Sequence, residues 1–169
     1  MAWEFEWLYG LQEIHGPLMD KIMVCLSTLG NAGIFWIALS LVFLAIKKYR
    51  KTGIQMLITM AAAFILANLI LKNLVARDRP CWIDPGVELL IQSPKDFSFP
   101  SGHTVNGFAA SVALLCNNGK FGIPAVILAS AIAFSRMYLF VHFPTDVFAG
   151  VIIGTACALL VHYVYSRKA

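Results

Sequence analysis

Residues 22–46 read IMVCLSTLGNAGIFWIALSLVFLAI, a run without one charged side chain that stops abruptly at Lys47–Lys48. A helix of that length crosses the roughly 30 Å hydrocarbon core of a bilayer with some tilt. Lys47, Lys48, Arg50 and Lys51 gather at its end, where membrane proteins place their basic residues. Working outward, a second apolar run covers Gly53 to Leu71 and ends at Lys72. A third opens at Ser101–Gly102–His103 and continues to Cys116, a fourth runs from Phe121 to about Phe140, and a fifth from Val147 to Tyr165. Between the second and third, residues 73–99 carry Pro80, Pro85, Gly86 and Pro94 as breakers and read as an outer loop. In residues 1–20, Trp3, Phe5, Trp7, Leu8 and Leu11 fit a helix lying at the interface or serving as a sixth helix. The expected fold is an all-α, polytopic membrane bundle of five to six helices, with residues 1–169 as one domain.

Composition agrees. The chain has 169 residues, 59% hydrophobic and 13% charged, with a mean hydropathy of +0.75. A soluble domain carries about twice that charged fraction, and one small globule cannot hide so much apolar surface. The net charge of +4 sits at the ends of apolar runs rather than on a basic face, so no nucleic-acid partner is expected. Cys25, Cys116 and Cys157 fall inside apolar runs and read as small buried hydrophobes, while Cys81 sits in the loop. Neither a zinc spacing nor a disulfide framework is present. The acidic, aromatic opening lacks the basic start of a cleavable signal peptide.

Five spans put residues 47–51, 120 and 167–168 on one face, with seven of the thirteen Lys and Arg residues. The other face takes the remaining six and all nine acidic residues. The first face is therefore expected to be cytoplasmic.

Three segments carry the reactive side chains, and span parity puts all three on the outer face: Lys72–Pro80, Pro100–His103 and Ser135–Asp146. Lys72, Arg79 and Arg136 bring three cations together, and guanidinium groups match the paired oxygens of a phosphate. Ser101–Gly102–His103 opens a helix whose free N–H groups favour an anion. His142 precedes Pro144, and Asp146 falls in the first turn beyond it. Asp146 is expected to accept the imidazole N–H while the other ring nitrogen of His142 attacks phosphorus. His103 is placed to protonate the leaving oxygen. The cations supply the charge stabilisation, so no metal or other cofactor is expected.

Each residue also has a blander reading. Lys72 at the end of a span is by itself an ordinary snorkelling anchor, and Ser101 an ordinary helix cap. Arg77 reads as an anchor or lipid-headgroup contact, His15 and His162 as structural, and Asn68 and Asn106 as interhelical hydrogen-bond partners. Trp82, Ile83, Leu89, Leu90 and Ile91 read as an apolar lid.

Together the segments spell K-x6-R-P, P-S-G-H and S-R-x5-H-x3-D. This resembles the signature of the type 2 phosphatidic acid phosphatase (PAP2) family, whose soluble relatives include vanadium haloperoxidases. The match runs from Lys72 to Asp146, with each motif complete. The resemblance implies His142 as nucleophile, Asp146 as its partner and His103 as general acid. It implies Lys72, Arg79, Ser101, Gly102 and Arg136 as the phosphate cradle. It further implies a lipid mono- or diphosphate substrate, such as undecaprenyl diphosphate, phosphatidylglycerophosphate or phosphatidic acid, cleaved in a bacterial cytoplasmic membrane. The alternatives are a soluble phosphate ester, a haloperoxidase, which the apolar spans argue against, and a transporter, which would carry polar residues through the membrane rather than at one end.

Overall fold

The computed structural model describes residues 2–167, leaving Met1, Lys168 and Ala169 outside, so the expected cytoplasmic position of Lys168 falls beyond it. In chain order the helices are α1 (Ala2–Gln12), α2 (Pro17–Leu29), α3 (Ile34–Ala45), α4 (Arg50–Phe64), α5 (Lys72–Val75), α6 (Pro80–Ile83), α7 (Gly102–Asn117), α8 (Gly119–Tyr138) and α9 (Pro144–Ser166). Among the described residues there is no strand.

Three helical stretches are long and apolar enough to cross a membrane: Lys47–Ile83, Gly119–Tyr138 and Pro144–Ser166. A fourth is obtained if α2 and α3, bent by 45° at their junction, count as one. The uninterrupted first span expected from 22–46 is thus broken, at a turn over Asn31–Gly33 where Ala32 (φ 51°) and Gly33 (φ 67°) are both left-handed. Helix α7, the expected third span, has 16 residues and falls short of the ~20 needed to cross alone. It forms the core of the bundle, packed by α4, α8 and α9 and burying Val105, Phe108, Ala109, Ala113 and Leu114.

Helix α9 meets α7 backbone to backbone: a Cβ on Gly154 would lie 2.6 Å from the Val105 carbonyl oxygen, and one on Gly150 would lie 2.8 Å from Thr104 Cβ. Small residues at such a crossing let helices gain dispersion contact where lipid gives no hydrophobic drive. The crossing also registers the two helix starts, and the Ser101 N–H donates to the Asp146 carbonyl at 3.1 Å.

The outer surface is apolar, with Leu18, Ile127, Phe148 and Leu160 all exposed, as lipid-facing positions should be. Helix α1 turns Leu8 and Leu11 inward against Tyr138, Phe140 and Phe143 and leaves Trp3 and Trp7 exposed. All four cysteines are free; Cys81 is buried, whereas Cys25, expected inside, is exposed on α2. Of the expected lid, Trp82, Leu89 and Ile91 are partly buried against the α1 cluster, while Ile83 and Leu90 stay exposed.

Candidate active site

Local backbone geometry delivers each charged group to one end of the bundle. Between α4 and α5 the chain runs as a π-helical segment, Ile65–Leu71, and the Lys72 N–H bonds back to the Ala67 carbonyl, five residues away. Lys72 is buried there, its Nζ 2.5 Å from Asp96 Oδ2. Arg79 stands just before α6, where Pro80 starts the helix without needing an N–H. Its guanidinium is fully used: Nε donates to the Asp96 carbonyl (2.7 Å), one terminal nitrogen to Asp96 Oδ1 (2.8 Å), and the other to the Val141 carbonyl (2.7 Å) and His142 Nε2 (3.1 Å). Arg136, in the last turn of α8, donates to Ser27 Oγ, and its Nε is buried without a protein partner. A buried donor left open in this way is costly unless something supplies an acceptor.

A cavity of about 1020 Å³ joins these groups; Lys72, Arg79, Gly102, His103, Arg136 and His142 line it. Asn31, Asn68, Asn106, Phe64 and Leu69 extend the wall. So the structure brings together six of the eight residues expected at the site. The other two stand behind the wall. Ser101 is fully buried and its hydroxyl accepts from Thr104 Oγ1 at 3.0 Å, a contact that uses its lone pair and not its hydrogen. Asp146 is also fully buried, at the start of α9.

The expected direct bond from His142 to Asp146 is corrected by a hydroxyl. His142 Nδ1 lies 3.7 Å from Asp146 Oδ2, beyond hydrogen-bond range. Ser98 Oγ sits between them, 2.5 Å from Oδ2 and 3.4 Å from Nδ1. Arginine has donors only, so the Arg79 contact requires a lone pair on His142 Nε2. The ring hydrogen is then on Nδ1, facing Ser98, which hands its own hydrogen to Asp146. Burial first, and then the cations of Arg79, Arg136 and Lys72, hold His142 well below the ordinary histidine range. Its imidazole is therefore neutral, with the Nε2 lone pair turned to Arg79 on the cavity side.

His103 Nε2 lies 3.0 Å from Asn31 Oδ1. The turn between α2 and α3 is shaped around this ring, since a Cβ on Gly30 would fall 2.5 Å from His103 Cδ2. Sequence reading missed Asn31, Asp96 and Ser98. The Gly30–Asn31–Ala32–Gly33 cluster was the available signal for the first, a breaker pattern inside an apolar run. No periodicity marks the other two in their loop. Arg77, read as an anchor, instead pairs with Asp146 Oδ1 and with Glu4 Oε2, both at 2.7 Å. His15 stacks on Tyr138 and His162 bonds Gln55, both away from the cavity.

The sequence profile of the PAP2 superfamily matches residues 52–169. The chain belongs to the PAP2 superfamily. Among relatives of this PAP2 chain, the undecaprenyl-diphosphatase of Sulfolobus acidocaldarius is 34% identical over 84% of the chain and 68% of that protein. An undecaprenyl-diphosphatase of Bacillus subtilis is 29% identical over 96% of the chain and 81% of that protein. The crystal structure of a transmembrane PAP2-type phosphatidylglycerolphosphate phosphatase from Bacillus subtilis superposes with a TM-score of 0.82 at 25% identity, covering 99% of this chain and 87% of the other. The PAP2 chain is accordingly an integral, multi-pass membrane phosphatase, all-helical in fold.

Proposed function

We propose that this chain releases phosphate from a lipid-borne phosphate, with a polyprenyl diphosphate such as undecaprenyl diphosphate ahead of phosphatidylglycerophosphate and phosphatidic acid. The site would face the extracytoplasmic side of a bacterial cytoplasmic membrane. The broken α2–α3 pair, the α4 stretch, α7, α8 and α9 would make five spans, with α1 at the interface. The enclosure of α7 by its neighbours supports this, because a helix sheltered by others need not match the bilayer thickness itself.

The observation that carries the reading is the convergence of Lys72, Arg79, Arg136, His103 and His142 on one cavity. Three cations there match the oxygens of a transferring phosphoryl group. His142 Nε2 attacks phosphorus, the phosphorus–oxygen bond to the lipid breaks, and His103 gives its proton to the departing oxygen. Water then attacks the phosphohistidine and inorganic phosphate leaves, returning His142 to its neutral form. The positive charge on the phosphorylated ring is balanced through Ser98 by Asp146. The apolar stretch of cavity wall at Phe64 and Leu69 suits a lipid tail, and the polyprenyl diphosphate ranks first in this reading because two of the relatives are undecaprenyl-diphosphatases.

The test is phosphate release by detergent-purified protein from a panel of lipid mono- and diphosphates, with chelator present and His142→Ala as control. Release that disappears in the variant supports the reading, and the ranking across the panel names the substrate class. Turnover confined to soluble phosphate esters would overturn the lipid assignment.

A further inference from the structure

Sequence position makes Arg77 look like a spacer inside K-x6-R-P, and nothing in the phosphoryl-transfer scheme above uses it. In the fold it is partly buried and joins two buried carboxylates. One of its terminal nitrogens donates to Asp146 Oδ1 and to Thr145 Oγ1, both at 2.7 Å, and the other to Glu4 Oε2 at 2.7 Å. Its guanidinium carbon lies over Phe143, 4.0 Å from the ring centroid. Glu4 comes from α1, more than seventy positions away, and is itself buried. Its second oxygen accepts from Thr145 Oγ1 at 2.6 Å and from the Thr145 N–H at 3.4 Å. Glu4 thereby caps the start of α9, the helix whose first turn holds Asp146. A carboxylate there is favoured by the open N–H groups and the helix dipole.

Two carboxylates sharing one arginine in a buried setting form a divided charge. Arg77 neutralises part of Asp146, and Glu4 takes part of Arg77. We propose that Arg77 and Glu4 are positioning residues for phosphoryl transfer: through Asp146 and Ser98 they set how much negative charge reaches His142, and they tie the N-terminal helix to the nucleophile. This rests on His142 being the nucleophile. The charged and titratable groups that face His142 are Lys72 from α5, Arg79 and Asp96 from the loop, His103 from α7, Arg136 from α8 and Asp146 from α9. Arg77 and Glu4 act on the imidazole only through the last of these.

The two residues have opposite signs, which separates a positioning role from a merely structural one. Without Arg77, Asp146 turns its whole charge on His142 and favours the protonated ring. Without the Glu4 charge, Arg77 leans undivided on Asp146 and disfavours it. The experiment measures kcat and kcat/KM against pH for detergent-purified wild type, Arg77→Met, Glu4→Gln and the Glu4→Gln/Arg77→Met pair, on the best lipid phosphate of the panel. His142→Ala serves as control.

The acid limb of kcat/KM should move up by about half to one pH unit in Arg77→Met and down by a similar amount in Glu4→Gln, each unit being a tenfold change in protonation. It should stay with Arg77→Met in the double variant, because Glu4 reaches Asp146 through Arg77, and kcat should fall about tenfold in Arg77→Met. If Arg77→Met does not fold with two carboxylates left facing each other, the other two variants still carry the comparison. Limbs that stay at the wild-type position, or that move in the same direction in Glu4→Gln and the double variant, overturn the proposal. Wild-type turnover by His142→Ala would instead remove the nucleophile assignment on which it stands.

Discussion

The Asp96 carboxylate lies 2.5 Å from the Lys72 ammonium and 2.8 Å from the Arg79 guanidinium, the two cations that a substrate phosphate would be expected to meet. A carboxylate shares with phosphate its paired oxygens and negative charge, so Asp96 competes for the cradle. Burial alone would raise its pKa, but Lys72 and then Arg79 outweigh that and hold it at about 2. It stays charged across the working pH range. With a folded-state pKa below the unfolded value, its pairing supports the fold above about pH 4. That support is lost as pH falls through about 2.

Replacing Asp96 by Asn should therefore free the cations without changing the shape of the loop. We expect orthovanadate and inorganic phosphate to inhibit several-fold more tightly in Asp96→Asn than in wild type. The gain should shrink at high salt, since the carboxylate is more than half exposed (57%) and screened. Chelators should leave both proteins active. Inhibition constants at low and high ionic strength check this; unchanged constants would remove Asp96 from the cradle.

The hydroxyl between His142 and Asp146 makes a second prediction. Ser98→Ala leaves the carboxylate 3.7 Å from Nδ1 with no bridge, and the ring hydrogen loses its acceptor. The expected result is a kcat about tenfold or more lower with KM little changed, because the lost contact orients the nucleophile rather than binding phosphate. Steady-state kinetics decide it.

His103 should matter in proportion to the leaving group. The alcohol leaving a lipid monophosphate such as phosphatidic acid needs a proton as it departs, and general acid catalysis contributes about 10²–10⁴-fold, whereas p-nitrophenolate, like the lipid phosphate released from a diphosphate, leaves unaided. His103→Ala should lose that factor on a lipid monophosphate and far less on p-nitrophenyl phosphate or a lipid diphosphate. Gly30→Ala, whose methyl would crowd the ring at 2.5 Å, should show the same pattern more weakly. Equal losses on both kinds of substrate would assign His103 to phosphate binding.

The pH profile follows from His142. Burial and the neighbouring Arg79, Arg136 and Lys72 depress its pKa, so the neutral ring, in its proposed nucleophilic form, persists below the ordinary value near 6.5. The acid limb of kcat/KM, corrected for ionisation of the substrate, should fall below that value. In the unfolded chain the ring takes up its proton near 6.5 while the folded one refuses it, so this group makes the fold less stable as pH drops below that point. Rate profiles and thermal melts in detergent test the two halves separately.

How much of this was readable beforehand depends on what each residue had to do. Lys72, Arg79, Arg136 and His142 stand at the ends of apolar runs, where one alone passes for an anchor, but the three motifs read together pointed to a common site, and the four line one cavity. The break at Gly30–Gly33 was hidden by its setting, because glycine, asparagine and alanine barely interrupt a hydropathy average. Asp96 and Ser98 lie in an irregular loop without period, where only three-dimensional proximity gives them meaning. Arg77 was visible but misread: its partners, Glu4 and Asp146, are far off in sequence, and a lone basic residue beside a membrane has an easier explanation. The length of α7 was readable; its central position was not, since an apolar stretch looks alike facing lipid or neighbouring helices.

The wide turn at Ile65–Leu71 gives the enzyme an off switch that touches no reactive group. Its extra residue per turn sets the rotation of everything after it, and the Lys72 N–H reaching back five residues to Ala67 fixes that offset. If the same seven residues wound as an ordinary α-helix, every motif would stay intact but the Lys72 N–H would bond the Asn68 carbonyl in place of Ala67. Lys72 would then swing by about a hundred degrees, a single residue's turn at 3.6 per revolution, and point its charge at hydrocarbon.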